Sequence, residues 1–449
     1  ASQLFVAAQR MVTALDSTVL VAIPLFVLAG VIMGKGGISK QIVNLCYELF
    51  GWMPGSLGVV TVIACMFFAA ISGSAPATVA AIGGILIPQM IDDGYPAGFS
   101  AALAASAGII GCIIPPSIPF VNYALITGES VSDLFAAGVV PGILMGVVLC
   151  IWTVILANKH GWGSRKKGIS LRGVWKAFCS AIYAILMPVI ILGGIYSGLF
   201  TPTEAAAIAA LYSLLVGVFG YKGITKKNIV PVLVDSSNSS CIIILLMAMA
   251  TIFGNIMTLE NIPNMVAQAI LGISSNVYVI LLVINVLLLV VGMFMEALAA
   301  IVILTPLLLP IVTSLGVDPV HFGVIIVLNL AIGMITPPVG TICFTLSGIT
   351  KRSVGMIFKG VAPFILAEVV VIVIMLIFPQ IGEDAFRQRL TQLREAVQQI
   401  VLADAPELRL DISIGGAYRV SPLAEAIRQA DQKMYEQKAA HAAERGQEL

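Results

Sequence analysis

Charged residues are scarce in this chain. Asp, Glu, Lys and Arg make up 10% of its 449 residues, whereas 59% are hydrophobic and the mean hydropathy is +1.04. A soluble globular domain carries about 25% charged residues, so the composition excludes that class. Many apolar runs reach roughly 17–20 residues, the length that spans the hydrocarbon core of a bilayer. The composition therefore predicts an all-α polytopic membrane protein.

Residues that bind transition metals or form redox pairs are also few and scattered. The chain has three histidines, which lie far apart, and seven cysteines without a C-x-x-C pair. This pattern excludes a recognisable zinc or redox motif, and cysteines in apolar runs usually serve as small packing residues. The net charge of +1 gives no indication of nucleic-acid binding. We expect no cofactor and no nucleic-acid partner.

The charge that is present is concentrated at the C-terminal end. Residues 1–380 hold 27 charged residues, and residues 381–449 hold 20. This shift in composition places a domain boundary near Pro379–Glu383. We predict a membrane domain over 1–380 and a small α/β soluble tail fragment over 381–449.

Long apolar runs predict the spanning helices. We place them near residues 18–34, 98–126, 138–157, 178–198, 203–220, 240–258, 320–347 and 361–378. Two further apolar stretches, 55–91 and 277–313, are interrupted at Ser72-Gly73-Ser74-Ala75-Pro76 and at Gly292-Met293-Phe294-Met295-Glu296. Each stretch could be two full spans. We favour two re-entrant helical hairpins, because irregular backbone at membrane depth must be buried in protein or line a cavity.

Glycine and proline recur in the chain with a constant spacing of 222 residues. Pro115 and Pro116 recur as Pro337 and Pro338. The other pairs are Pro88 and Pro310, Gly94 and Gly316, Gly111 and Gly333, Gly138 and Gly360, and Pro141 and Pro363. Because these residue types have the most restricted backbone roles, their register indicates two repeats, about 1–157 and 223–380. Interrupted apolar segments in corresponding positions point to the binding site of a secondary transporter.

The Lys and Arg content of the loops predicts their orientation. The cytoplasmic side receives the loops rich in these residues, which are 158–177, 221–228 and 351–359. The outer side receives the loops without Lys or Arg, which are 127–137, 199–203 and 259–276. With this topology the second repeat is inverted relative to the first, and the C-terminal tail lies in the periplasm.

Two segments cannot be continuous α-helix because of their paired prolines. They read Ile113-Ile114-Pro115-Pro116-Ser117-Ile118-Pro119 and Ile335-Thr336-Pro337-Pro338-Val339-Gly340-Thr341. Proline inside a helix costs about 3 kcal/mol or more, and the freed carbonyl groups need partners. A desolvated Na⁺ is a suitable partner, and the hydroxyls of Thr336 and Thr341 add further oxygens. Simple proline kinks are the alternative.

Each broken helix has a polar hairpin tip as its counterpart. Ser72, Gly73 and Ser74 offer hydroxyls and the positive end of the following helix, which suit a substrate carboxylate or a cation site. A small-residue packing motif is the alternative for this tip. In the second tip, Glu296 is an ionisable residue in an apolar context and is functional by default, or it caps the helix that begins at residue 297.

Polar residues near the first break complete the set of candidates. Ser117 lies within the break, and Asn122 follows it and is either a substrate contact or a residue that holds helices together. Thr201-Pro202-Thr203-Glu204 has the pattern of a helix start, with proline in the first turn.

Four long motifs resemble the large M subunit of TRAP transporters. They read AAISGSAPATVAAIGGILIPQM from residue 69, GLFTPTEAAAIAALY at 198–212, GMFMEALAAIVILTPLLLP at 292–310 and DPVHFGVIIVLNLAIGMITPPVG at 318–340. The resemblance covers about residues 1–380 and implies a Na⁺-coupled, elevator-type importer of small organic acids, such as C4-dicarboxylates or sialic acid. It also implies that the protein lies in the bacterial inner membrane, in contact with membrane lipid. The partners it implies are a small Q transmembrane subunit and a periplasmic substrate-binding P protein.

The resemblance assigns two sodium sites. The first comprises Ser72, Gly73, Ser74, Pro115 and Pro116, and the second comprises Gly292, Met295, Glu296, Thr336, Gly340 and Thr341. The candidate substrate contacts are Ser74, Ser117, Asn122 and Thr341. Glu296 is a mild departure from the family, since members often have Asp there.

Both ends of the chain depart further from the family. Members usually begin with one more transmembrane helix, so an N-terminal truncation is expected. The tail reads as helix (FRQRLTQLREAVQQI), strand (LRLDISIGGAY) and helix (PLAEAIRQADQKMYEQKAA), and it resembles the C-terminal part of a GGDEF diguanylate cyclase domain without its nucleotide-binding signature. Three elements are too few for that domain's core, so we expect an inactive remnant, a fusion or a gene-model artefact.

Two other functions remain as alternatives. A membrane-anchored signalling protein related to diguanylate cyclases is disfavoured by the missing signature. An ion channel is disfavoured by two hairpins that close the path at the midplane, because this arrangement is typical of alternating access.

Overall fold

The computed structural model describes residues 9, 11–13, 15–164, 168–272, 276–377, 401–402 and 405–409. The chain divides into a helical unit, Ala1–Ile195 with Phe200–Ile377, and a second unit, Tyr196–Leu199 with Phe378–Leu449. The described elements of the tail are two short antiparallel strands, β1 (Val401–Leu402) and β2 (Ala405–Arg409). Both helices predicted for the tail, and most of its predicted strand, lie outside the described residues.

Over residues 22–160, the first half of the helical unit contains seven helices, with short interruptions at Gly73-Ser74 and at residues 113–117. The helices are α1 (Ala22–Lys35), α2 (Ile38–Phe50), α3 (Ser56–Ser72), α4 (Ala75–Asp92), α5 (Ala97–Gly108), α6 (Ile118–Thr127) and α7 (Val131–His160). Residues Val79–Gly83 of α4 form a π-helical turn, and a 3-10 turn over Ile109–Cys112 extends α5.

Two connecting helices, α8 (Leu171–Tyr196) and α9 (Pro202–Leu215), lead to the second half. That half contains α10 (Ile229–Leu259), α11 (Ile262–Leu271), α12 (Val277–Phe294), α13 (Ala297–Ser314), α14 (Pro319–Gly333), α15 (Thr341–Thr350) and α16 (Val354–Ile377). The predicted start of α9 is confirmed by a reciprocal cap. Thr201 Oγ1 accepts from Glu204 N at 3.3 Å, and Thr201 N donates to Glu204 Oε2 at 2.8 Å.

Corresponding helices of the two halves follow the same order at nearly constant spacing. The starts of α3 and α12 are 221 residues apart, those of α4 and α13 and of α5 and α14 are 222 apart, and those of α6 and α15 and of α7 and α16 are 223 apart. The bonds Pro115-Pro116 and Pro337-Pro338 are both cis. The register seen in the sequence therefore has a counterpart in the backbone, whereas opposite membrane orientation of the halves stays a prediction.

Several predicted boundaries are wrong: α7, α8 and α16 each begin seven residues before their predicted starts at 138, 178 and 361. Helix α2 was not predicted, and α11 occupies residues 262–271, which were predicted as a loop. Helix α10 begins at Ile229, not near residue 240, because the polar run 235–240 continues the helix without a break. Polar residues inside these segments lower their hydropathy, so a reading based on apolar runs overlooks them.

The most completely buried helices are α5 and α14, each of which precedes one of the two breaks at the paired prolines. Every residue from Phe99 to Gly108 in α5, and from Val320 to Gly333 in α14, is buried. A helix that is hydrophobic all round is one surrounded by other helices, as these two are. Large apolar side chains are exposed on the outer helices, including Val140, Ile151, Leu245 and Val286.

Eight helices of the described chain are long and apolar enough to cross a membrane, or nine if α1 and α2, bent by 67°, count as one span. Exposed apolar faces on such helices suit contact with lipid. The protein is a mostly helical, multi-pass membrane protein. The elevator architecture and the re-entrant course of the hairpins stay predictions.

Candidate functional site

The first hairpin tip and the first helix break form one compact contact. Helix α3 ends at Ser72, Gly73 follows with φ +62°, and α4 begins at Ala75. A Cβ on Gly73 would collide with the carbonyl oxygen of Pro116, and Ile118 N donates to Gly73 O at 3.1 Å. Only glycine allows this approach, so the tip is held against the backbone of the break.

Hydroxyl and carbonyl oxygens cluster behind this tip. Ser72 Oγ lies 2.9 Å from Thr78 Oγ1, which donates to the Ser74 carbonyl at 2.9 Å. Gly111 completes the cluster, since a Cβ there would lie 2.6 Å from Thr78 Oγ1. Unwound carbonyls and hydroxyls of this kind coordinate Na⁺ in transporters. Thr78 was not predicted as a site residue, although its position one turn after Ser74 in a helix is a usable signal.

The polar residues of the first break are engaged by their own backbone. Ser117 Oγ donates to Cys112 O at 2.5 Å and accepts from Phe120 N at 3.2 Å, so it caps α6. The Ser117 hydroxyl therefore forms hydrogen bonds to the backbone on both sides of the break and does not line the cavity that both hairpin tips border. Pro115 and Pro116 are buried beside it.

At the second hairpin tip, Glu296 caps a helix. Its Oε2 accepts from Leu298 N at 3.0 Å, in the first turn of α13. This arrangement supports the capping role, and it leaves a role in ion binding as a prediction. Met295 lies directly before it with extended backbone, φ −118° and ψ 151°.

The second break approaches the second hairpin through two glycines. A Cβ on Gly333 would lie 2.5 Å from the Cα of Gly292, so α12 and α14 touch there. Thr336 Oγ1 donates to Ile332 O at 2.8 Å, and the buried Thr341 hydroxyl has no partner among the described residues. Gly340 adopts φ +56°. In the described chain, no hydrogen bond joins Thr336, Gly340 or Thr341 to the tip.

Both hairpin tips border one cavity of about 470 Å³. Its polar or charged lining residues are Ser72, Ser74, Ser239 and Glu296; its further lining includes residues of α1, the start of α6 and Met334. Of the candidate substrate contacts, Ser74 lines this cavity, whereas Ser117, Asn122 and Thr341 are not among its lining residues. Ser239 was not predicted; the polar run 235–240 within an apolar helix was the available signal.

Asn122 links the first broken helix to the second hairpin. It is 0% exposed, and its Nδ2 donates to Leu298 O at 3.1 Å. Leu298 N is the group that Glu296 accepts from. Leu298, in the first turn of α13, is therefore bound at its N–H by Glu296 of its own hairpin and at its carbonyl by Asn122 of the first half.

We expect Asn122→Ala and Asn122→Asp to reduce uptake and to make its Na⁺ dependence less steep. Neither alanine nor an ionised aspartate can donate to Leu298 O, and loss of this one hydrogen bond costs about 0.5–1.5 kcal/mol. Transport would be measured in proteoliposomes over a series of Na⁺ concentrations. Thr127→Val is the control, because Thr127 Oγ1 donates within its own helix, to Tyr123 O. An unchanged Na⁺ curve in both Asn122 variants would refute the link.

Comparison with known proteins identifies the family. The sequence profile of "Tripartite ATP-independent periplasmic transporter, DctM component" matches residues 1–381. The match ends where the charged tail begins, and the comparisons give no support to the tail's resemblance to a cyclase domain.

Several curated relatives are similar over most of the helical unit. The isethionate TRAP transporter permease protein DctMQ of Oleidesulfovibrio alaskensis is 49% identical over 83% of this chain and 59% of that relative. The C4-dicarboxylate large permease DctM of Pseudomonas aeruginosa is 41% identical, over 81% and 85% of the two chains. The sialic acid large permease SiaM of Vibrio cholerae is 39% identical, over 83% and 87%. The chain thus spans less than two thirds of the isethionate relative.

A solved structure shares the fold. The YdaH transporter of Alcanivorax borkumensis has a TM-score of 0.60 with 16% identity, over 82% of this chain and 86% of that one. The relatives are permease proteins and not enzymes, so the enzymatic alternative is not supported. With a profile match over most of its length, the chain belongs to the tripartite ATP-independent periplasmic transporter family, as a DctM component.

Proposed function

We propose that this protein is the large membrane subunit of a secondary transporter that imports a small organic anion together with Na⁺. The observation that carries the proposal is the cavity bordered by both hairpin tips, with the oxygen cluster of Ser72, Ser74 and Thr78 behind the first tip. Discontinuous helices at such a site supply carbonyls for the ion and positive helix ends for the anion.

The substrate class is supported by the relatives. Their names specify isethionate, C4-dicarboxylate, sialic acid and 2,3-diketo-L-gulonate. All four are small anions with a carboxylate or sulfonate group and at least one further polar group. A cavity with small hydroxyl side chains and the start of α4 suits an anion of this kind.

Two partners belong to the proposal. The name DctMQ joins two components in the isethionate relative, of which this chain covers 59%. This supports a small Q subunit as the partner of the present chain in the inner membrane. A periplasmic substrate-binding P protein would deliver the anion.

Replacing Na⁺ with K⁺ tests the proposal directly. We expect uptake of an organic anion, delivered by its P protein into proteoliposomes, to fall to the background level in K⁺. Ser72→Ala removes one oxygen of the first cluster, and we expect it to raise the Na⁺ concentration for half-maximal uptake by roughly tenfold, since 1.4 kcal/mol is a factor of ten. Thr313→Ala is the control, because this exposed hydroxyl bonds to its own helix. Undiminished uptake in K⁺ would exclude Na⁺ coupling, and uptake that does not saturate would favour a channel.

The tail is proposed to lie in the periplasm, because α16 begins beside the Lys and Arg residues at 351–359. We expect protease added to intact spheroplasts to remove residues after 381 without loss of uptake. Full protection of the tail would instead place it in the cytoplasm.

A further inference from the structure

A buried acidic side chain lies in the middle of α16 and does not line the cavity that both hairpin tips border. Glu368 is 0% exposed, and neither of its carboxyl oxygens has a hydrogen-bond partner among the described residues. The hydroxyl of Ser106, on α5, approaches this carboxyl without the geometry of a formed hydrogen bond. An ionisable residue inside a membrane span marks a functional site by default, and Glu368 belongs neither to the hairpin tips nor to the helix breaks.

The packing of α5 against α16 brings the two side chains together. A Cβ on Gly360 would lie 2.6 Å from Gly98 O, so the two helices touch closely at these glycines. Ser106 and Glu368 each lie eight residues further along their helices. The helices therefore run parallel, and the pair meets about two turns beyond the glycine contact.

The internal repeat indicates that the fold does not require an acid at this position. The residue 222 positions before Glu368 is Gly146 in α7, where a Cβ would collide with the Sδ of Met66. The equivalent of Ser106 is Leu328, which is buried in α14. Gly146 of the first half thus stands at the position of Glu368 in the second half, and Leu328 of the second half stands at the position of Ser106 in the first.

No basic side chain is paired with Glu368 in the described part of the chain. Helix α5 has no charged residue. The ionisable groups on the other helices packed against α16 are Cys343 on α15, His321 on α14, and Asp133, Cys150, Lys159 and His160 on α7. Cys343 lies near the carboxyl of Glu368. His321 lies near Met375, which is about two turns after Glu368 in α16. None of these groups forms an ion pair with Glu368 among the described residues.

A carboxylate in this position needs a cation, because transfer of an isolated charge into the protein interior is strongly unfavourable. A metal ion takes several oxygen ligands, but α5 and α16 are regular helices at this level, and their carbonyls serve intrahelical hydrogen bonds. The two carboxyl oxygens and one hydroxyl are enough for a proton and too few for a metal ion.

We propose that Glu368 and Ser106 form a proton-binding site, separate from the two candidate sodium sites. The carboxyl is a neutral acid whose O–H donates to Ser106 Oγ, and it keeps its proton while the protein transports. Helix α5 leads into the first break, α15 begins at the second break, and α16 packs against both. The neutral pair thus joins α5, which leads into the first break, to α16, which packs against the helix that follows the second break.

Infrared spectroscopy of the full chain in lipid nanodiscs tests the protonation state without any substrate. We expect the carbonyl stretch of a protonated carboxyl, shifted in D₂O, to be lost in Glu368→Gln and kept in Ser106→Ala at a changed frequency. Glu204→Gln is the matched control, because Glu204 is an exposed helix cap, and its replacement should leave this band in place. An unchanged band in Glu368→Gln would overturn the proposal.

Ion binding and uptake separate a proton from sodium. We expect Glu368→Gln to bind as much radioactive ²²Na⁺ as the wild type and to keep uptake within about twofold, because the amide imitates a neutral acid. A smaller amount of bound Na⁺ in this variant would assign the site to a metal ion. A folded variant without uptake would show that the proton must leave during the cycle. Either result would overturn the proposal. If Glu368→Gln fails to fold, the frequency shift in Ser106→Ala decides alone. The infrared and ²²Na⁺-binding outcomes do not depend on the substrate or partners of the proposed function.

Discussion

Oxidation of the double variant Gly34→Cys/Ala81→Cys is expected to stop uptake completely, and reduction is expected to restore it. Gly34 lies in α1, and Ala81 lies in the π-helical turn of the first hairpin. A Cβ on Gly34 would be 4.0 Å from the Cβ of Ala81, within the range of about 3.5–4.5 Å that a disulfide requires. If the hairpins and broken helices move together against α1 and α10, this bond fixes the moving part to the stationary part.

A second disulfide provides the matched control. A Cβ on Gly83 would be 3.6 Å from the Cβ of Ala104, and both residues lie in the part that is proposed to move. We expect the oxidised variant Gly83→Cys/Ala104→Cys to transport as it does when reduced. The exposed Cys179 and Cys241 would be replaced by Ser in both variants to avoid other crosslinks. Normal uptake by crosslinked Gly34→Cys/Ala81→Cys would contradict the elevator mechanism.

Gly73→Ala is expected to lower uptake by roughly tenfold or more. Alanine at φ +62° is strained by about 1–2 kcal/mol, and its Cβ would also collide with the Pro116 carbonyl oxygen. The first tip would have to move away from the helix break, which would separate oxygens that are proposed to share one ion. Each 1.4 kcal/mol lost in ion binding is a factor of ten.

Gly128→Ala separates backbone strain from the collision. Gly128 adopts φ +78° at the end of α6, and a Cβ there would have no neighbour within 4 Å. This variant has a similar strain and no clash, so we expect nearly normal uptake. Equal loss of uptake in the two variants would show that contact between the tip and Pro116 is unimportant. Thermal unfolding of both variants would confirm that each remains folded.

The positions of the hairpin interruptions and of the broken helices were predictable from the sequence, because glycine allows backbone conformations that other residues avoid and proline disrupts a helix. The interruptions predicted within 72–76 and 292–296 contain the breaks at Gly73-Ser74 and Met295-Glu296. The paired prolines located both broken helices. Each of these features is local, so the order of residues along the chain is sufficient to find it.

The rest depends on contacts between distant parts of the chain. Thr78 enters the first cluster because the first helical turn of α4, which follows the tip, places it beside Ser72 and Gly111. Ser239 reaches the cavity through the packing of α10. Glu368 stands in an apolar run, and the sequence does not reveal that Ser106 lies beside it. Sequence periodicity alone does not give the rotation of an apolar membrane helix, which is set by packing against its neighbours.

The peptide groups of Leu298 have a thermodynamic consequence. Its N–H is bound by Glu296 and its carbonyl by Asn122, so displacement of the first broken helix changes the environment of the second hairpin, and the reverse. Two ligands that bias the same element are linked, and the factor by which one changes the affinity of the second equals the factor by which the second changes that of the first. If both proposed sodium sites exist, measuring how occupancy of one alters the affinity of the other therefore fixes the reverse effect as well, whichever ion binds first.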